Sequence, residues 1–284
     1  MKKTLTIILV MLLPVLAWGQ AQIHTKKMKI SDFTQKITKV VLTGNEFFDM
    51  ALQNEITMGW RISPYEFCTM EEFEEYRTSD EFYFLMSVNG RFRKDDIPTI
   101  SYLTLVKGGK EAERGIDKML EVVSMPVASA QSPSGREFVF LPALLEIIQN
   151  YTLASMENDM NAYGGLGTIT KKIGKGSGFM VMFAEEDICP SVYEMEKIGF
   201  LDSEMYIIDE ETVDSIVMER VEDALVGYVV APSESIPGAV YYKMLINPGT
   251  YQLYYFAQDR VSRKDGAGFT PADIKKIHTA ITRN

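Results

Sequence analysis

Histidine is nearly absent from this chain of 284 residues, with His24 and His278 its two instances. A histidine-dependent triad or a histidine-rich zinc site would need one of them in a cleft. His24 lies near the start of the chain, and His278 stands beside Ile277 and Ile281 in an apolar helical pattern. No His-Glu-x-x-His, Cys-x-x-Cys or Asp-x-Asp-x-Asp-Gly occurs. Histidine-based catalysis, a metal site and a bound cofactor are therefore not expected. Basic residues are also outnumbered, 29 against 39 acidic, for a net charge of -10. Phosphate backbones and anionic membranes need clustered Lys and Arg, so nucleic acid is not an expected partner. The one small basic group, Lys26-Lys27 with Lys29, fits a solvated tail.

Long apolar runs are missing after the first twenty residues. Residues 1–19 combine Lys2 and Lys3, an apolar stretch over 5–16 and Ala17-Trp18-Gly19, the pattern of a secretory signal peptide. Twelve apolar residues are short for a bilayer span. The expectation is an exported chain starting near Gln20, periplasmic if the source is Gram-negative, with no stable membrane insertion once the signal is removed. Cysteine is scarce too. Cys68 and Cys189 fall in different halves. Export permits a disulfide between them, and two buried free thiols is the favoured reading.

What is present is the composition of a globular protein, 46% apolar and 24% charged, long enough for two domains. Residues 20–38 read as a leader segment, polar and basic over 20–31. Residues 39–163 read as a first α/β lobe and 179–284 as a second. Strands are expected at 39–42, 82–88, 99–106, 138–141, 179–183, 205–208, 225–230, 240–246 and 251–256. Helices are expected after Thr43 and Glu46, after Thr69 and Glu72, over 115–123, over 142–163 with Pro142 at the first position, after Asp209 and after Thr270. Asn89-Gly90 marks a turn, 126–135 reads as a loop, and Asn247-Pro248-Gly249-Thr250 favours a type II turn. The fold class is α/β or α+β, with small mixed sheets in two lobes of similar size and a candidate pseudo-repeat.

The joint between the lobes is the glycine-rich segment 164–178. Its glycines, Gly164, Gly165, Gly167, Gly174, Gly176 and Gly178, are candidate hinge residues. Gly174-Lys175-Gly176-Ser177-Gly178 carries a Gly-Lys pair, but this loop precedes a strand, whereas a phosphate loop follows one and opens a helix. The aromatic hairpin supplies the candidate surface for a ligand or partner: Tyr241, Tyr242, Tyr251, Tyr254, Tyr255 and Phe256. Strict alternation would put Tyr251, Leu253 and Tyr255 on one face and Gln252, Tyr254 and Phe256 on the other, with a core strand as the competing reading. Acid clusters at Glu71-Glu72, Glu74-Glu75, Glu185-Glu186-Asp187 and Asp209-Glu210-Glu211 read as helix starts and solvated faces. The functional expectation is an exported non-catalytic protein that binds a partner protein as an accessory component of a cell-envelope assembly. The alternative is a two-lobed periplasmic protein that closes on a small ligand. A carboxylate hydrolase trails both.

Overall fold

A computed structural model describes residues 25–90, 97–174, 178–196, 204–234 and 236–282. The signal segment 1–19, His24 and the triplet Lys175, Gly176 and Ser177 lie outside the described residues. In chain order come α1 (Lys26–Lys29), β1 (Ile37–Val41), α2 (Glu46–Gly59), β2 (Tyr65–Cys68), α3 (Met70–Tyr76), β3 (Phe82–Gly90), β4 (Ile100–Lys107), β5 (Leu120–Ser129), α4 (Arg136–Glu157) and α5 (Asp159–Gly164). There follow β6 (Met180–Ala184), α6 (Pro190–Glu196), β7 (Met205–Ile208), α7 (Glu210–Met218), β8 (Ala224–Val230), β9 (Val240–Ile246), β10 (Leu253–Arg260) and α8 (Pro271–Thr282).

The strands form two five-stranded mixed sheets, ordered β2-β1-β3-β4-β5 and β7-β6-β8-β9-β10. In the first, β1 is parallel to both β2 and β3, while β4 and β5 add antiparallel. In the second, β6 is parallel to both β7 and β8, while β9 and β10 add antiparallel. The two halves thus repeat one topology, and each sheet is followed by a helix, α4 or α8. The repeat is obscured in the sequence because α6, between β6 and β7, lacks a clear apolar stripe.

Side chains alternate across each sheet as a pleat requires. Tyr83 and Leu85 of β3 face the main core with Leu52 and Ile56 of α2. Phe84 and Met86 face the other way, and Phe73 of α3 packs edge-on to Phe84 at 5.0 Å. In the second sheet Val226, Tyr228 and Val230 join Val213 and Val217 of α7 in the same main core. Val181 and Phe183 turn toward Val192 of α6 and Ile274, Ile277 and Ile281 of α8. One apolar core therefore runs through both sheets, with α4 at its centre. Phe140 of α4 stacks on Tyr228 at 4.0 Å. The Tyr102 hydroxyl donates to that of Tyr242 at 3.0 Å, and the Tyr228 hydroxyl donates to Val127 O at 2.6 Å. Each such ring contributes about 1.5–3 kcal/mol through burial, and its hydroxyl is satisfied.

The structure departs from the sequence expectations at several points. Helix α4 starts at Arg136, so Phe138 and Leu141 are helical and Pro142 lies inside the helix. An interior proline forfeits one backbone bond at about 3 kcal/mol; burial of Phe140, Leu141, Leu144, Leu145 and Ile148 outweighs it. By length and mean hydropathy, 1.3, α4 would suffice to cross a membrane, a run the sequence reading passed over, yet 61% of that window is buried inside the protein. Residues 115–123 are not an α-helix: Ile116–Lys118 form a single 3-10 turn, β5 takes Leu120 onward, and Pro126 is tolerated because β5 is an edge strand. Asn89 and Gly90 continue β3. Asn45, not Thr43, caps α2 by accepting from the N–H groups of Phe47 and Phe48, while the Asp49 carboxylate takes the N–H groups of Thr43 and Gly44. At the β9–β10 turn the left-handed residue is Tyr251, φ +55°. Gly249 serves close approach instead, since a Cβ there would lie 2.5 Å from Glu222 Cγ.

The described part of the expected leader segment 20–38 is packed: Ile30 and Phe33 are fully buried. Asp32 fixes them to the first sheet through Lys107 of β4 and Tyr83 of β3, and also pairs with Lys36 of the same segment. Burial pushes the Asp32 carboxyl up, and the hydrogen bonds from Lys107, Tyr83 and Lys36 outweigh it, holding it at about 2. A depressed carboxyl stabilises the fold above its unfolded value, and that contribution disappears as pH falls toward about 2. With solvent screening, Asp32→Asn is expected to cost about 1 kcal/mol at neutral pH. Urea titrations at neutral and acid pH check this; an equal cost at both would contradict it.

Candidate binding groove

In the first sheet the chain leaves β1 for β2 on one side and returns to β3 on the other. Helices α2 and α3 lie on opposite faces. Such a reversal leaves a crevice outside the carboxyl ends of β1 and β3, where open α/β sheets bind ligands. A cavity of about 580 Å³ occupies that place. Thr43 and Asn45 reach it from the β1–α2 loop, Ser87 from the end of β3, Ser101 from β4, and Ser129 from the end of β5. Phe47, Phe48 and Phe138 form an apolar rim, with the Phe48 and Phe138 rings 6.4 Å apart. Phe47 is 77% exposed and Phe138 39%.

Two helix N-termini, those of α2 and α4, border the groove, yet their donors are largely used. The Asn45 side chain serves α2; at α4 the N–H of Arg136 donates to Ser134 Oγ at 3.3 Å and that of Gly135 to Glu137 Oε2 at 2.8 Å. Glu137 is also the sole charged residue among the described residues lining the groove. These residues include no histidine, cysteine, lysine or arginine. Serine hydroxyls without a base are weak nucleophiles. An apolar rim over hydroxyls suits a neutral segment with an apolar anchor.

The equivalent crevice of the second sheet lies at the carboxyl ends of β6 and β8, and Arg136 fills it. Its Nη1 donates to Asp187 Oδ2 at 3.0 Å, directly after β6, and its Nε to Asp214 Oδ1 of α7 at 3.0 Å. The guanidinium lies 5.4 Å from the Phe140 ring and 5.6 Å from that of Tyr228. Its Nη2 has no hydrogen-bond partner. The repeat therefore has one open crevice and one closed by the helix that joins the halves.

The residues singled out from the sequence are dispersed. Tyr241 and Tyr242 are core residues: the Tyr241 hydroxyl donates to Gly268 O, and Tyr242 accepts from Tyr102. The ring of Tyr251 lies under Arg220 at 4.5 Å. A β-bulge between Leu253 and Tyr255 breaks the expected alternation. As a result Leu253 and Phe256 face the main core, while Tyr254 and Tyr255 face α8. Tyr254, Tyr255, Phe256 and Gly167 line a second cavity. Gly164 ends α5, Gly165 has φ +72° and Gly178 φ +67°, and Gly174 is exposed. The segment around them is tied down by buried Leu166 and by Lys171 N–H donating to Leu253 O at 2.8 Å. Cys68 and Cys189 are free thiols buried in separate clusters, and burial pushes both up to about 11. Sequence reasoning missed the groove. It assigned Phe138 to a strand, and scattered serines carry no signal of their own. Compared with known proteins, the chain matches no family model, no curated protein and no solved structure.

Proposed function

We propose that this is an exported, non-catalytic protein whose groove beside β1 and β3 holds a segment of a partner protein, as an accessory component of a cell-envelope assembly. The carrying observation is the rim: Phe47 and Phe138 stand exposed over a hydroxyl-lined cavity at the place where the topology favours binding. Exposed aromatics around a pocket are the usual anchors of a protein interface. The nearby Met50, 65% exposed, extends the apolar surface along α2. The continuous core between the sheets counts against the alternative, closure of two lobes on a small ligand, because closure would have to move packed rings such as Phe140 on Tyr228.

Tagged protein with its signal peptide would be expressed in its source and cross-linked in envelope extract. The expected result is a retained partner, a mature start near Gln20 by mass spectrometry, and a roughly tenfold or greater loss of the partner in a Phe47→Ser, Phe138→Ser variant. Stability of that variant is expected to change by about 0.5 kcal/mol or less at Phe47, a surface position, and by about 1–2 kcal/mol at Phe138, which is partly covered by Phe48, leaving the fold intact. Equal retention by the variant, or no retained partner, would refute the reading.

A further inference from the structure

We infer that the second cavity, between β10, α8 and the segment 167–173, is a binding site for a small planar aromatic anion, distinct from the groove. Its volume, about 430 Å³, suits a one- or two-ring molecule. Three lysines converge on it, Lys171 and Lys172 from the segment and Lys276 from α8, in a chain of net charge -10. Among the described residues no carboxylate lies within ion-pair distance of them. Lys276 Nζ stands 4.9 Å over the Tyr255 ring, so an aromatic face and a cation already share one wall. The Tyr254 ring, held edge-on by Phe179 at 5.4 Å, supplies further apolar surface.

The nearest acid of α8, Asp273, does not oppose an anion here. It is buried and bound by Lys243, by the hydroxyl of Tyr255 and by Thr270. The cavity therefore presents uncompensated positive charge beside aromatic rings. A ring can stack while its acidic group takes hydrogen bonds from the ammonium groups. The docked backbone, through Lys171 N–H on Leu253 O, keeps the lysine-bearing segment against β10 without a ligand.

The test is calorimetric titration with 2-naphthoate, with 2-naphthol as the uncharged ring and acetate as the ringless anion. Binding of 2-naphthoate at millimolar or lower concentration is expected, with 2-naphthol and acetate each roughly tenfold weaker or undetected. A Lys171→Ala, Lys172→Ala variant and, separately, Lys276→Ala should each weaken 2-naphthoate by roughly tenfold at unchanged melting temperature, and added salt should weaken the wild type. Groove variants at Phe47 and Phe138 should leave this binding unaltered. No binding of 2-naphthoate, equal binding of 2-naphthol, or unchanged binding in both lysine variants would overturn the assignment.

Discussion

Replacing Arg136 by methionine is expected to remove about 3–5 kcal/mol of folding stability at about pH 8. Arg136 is 5% exposed and Asp187 4% exposed, so neither charge is hydrated once the pair is broken. Asp214 and Glu210, the other acids near the guanidinium, keep contact with solvent and tolerate the loss better. Burial pushes the Asp187 carboxyl up to about 7 against the pull of Arg136. A raised carboxyl holds its proton in the folded state after the unfolded chain has released it. Its contribution to stability is therefore greatest below the unfolded value, near 4 by ordinary carboxyl behaviour, and declines as pH rises to about 7.

Without Arg136 the carboxyl rises further and the decline extends to higher pH. The deficit of the variant should be larger at about pH 8 than at about pH 5. The paired change Arg136→Met, Asp187→Leu should recover most of the stability, because Phe140 and Tyr228 already flank the site with apolar surface. Denaturant titrations of the three proteins at both pH values decide the matter. A deficit below about 1 kcal/mol, or one independent of pH, would contradict the account.

Lys243→Met is expected to cost a similar amount, about 3–5 kcal/mol, and to release α8 from the second sheet. Lys243 is fully buried, with its ammonium bound to Asp273 and to Asp259 at 2.6 Å, and lies 5.5 Å from the Tyr241 ring. Asp273 is also the acid that Thr270 meets at the start of α8, where each accepts from the other's backbone N–H. One carboxylate thus caps the helix and pins it to β9. Burial pushes the Asp273 carboxyl up, and hydrogen bonds from Lys243, Tyr255 and Thr270 outweigh it, so it lies below the ordinary range. The stabilisation is present above the unfolded value and is lost as pH falls through the folded one. Wild-type α8 should loosen in acid, while the variant should show the loosening already at neutral pH. Amide hydrogen exchange along α8 and denaturant unfolding measure both effects. Protection of α8 equal to wild type would sink the prediction.

The elements that were legible in the sequence are those decided within a few residues. Thr69 and Glu72 form the reciprocal cap of α3, and Asp209 accepts from Thr212 N–H at the start of α7. Residues 205–208 and 240–246 are strands as their apolar, β-branched and aromatic content indicates. Two mixed sheets in an α/β arrangement followed from these signals, and so did the suggestion that the halves repeat.

Other assignments could not be made locally. Ile116, Met119, Leu120 and Val123 fit a helical stripe, but pairing with β4 draws Leu120 onward into a strand. Phe138 and Leu141 read as extended until the core between the sheets claims the helix that contains them. Tyr254 and Tyr255 share a face only because a bulge shifts their register. The sequence by itself determined the caps of α3 and α7, the strong strands and the scarcity of catalytic residue types. The tertiary structure alone decided that Arg136 closes one crevice while Phe47 and Phe138 rim the other. Caps and periodicity arise from contacts three or four residues apart, which order the chain wherever it lies. A groove, a buried ion pair or a cavity is made by residues far apart in the chain, 78 positions in the case of Arg136 and Asp214, and its energy exists only after the sheets have packed.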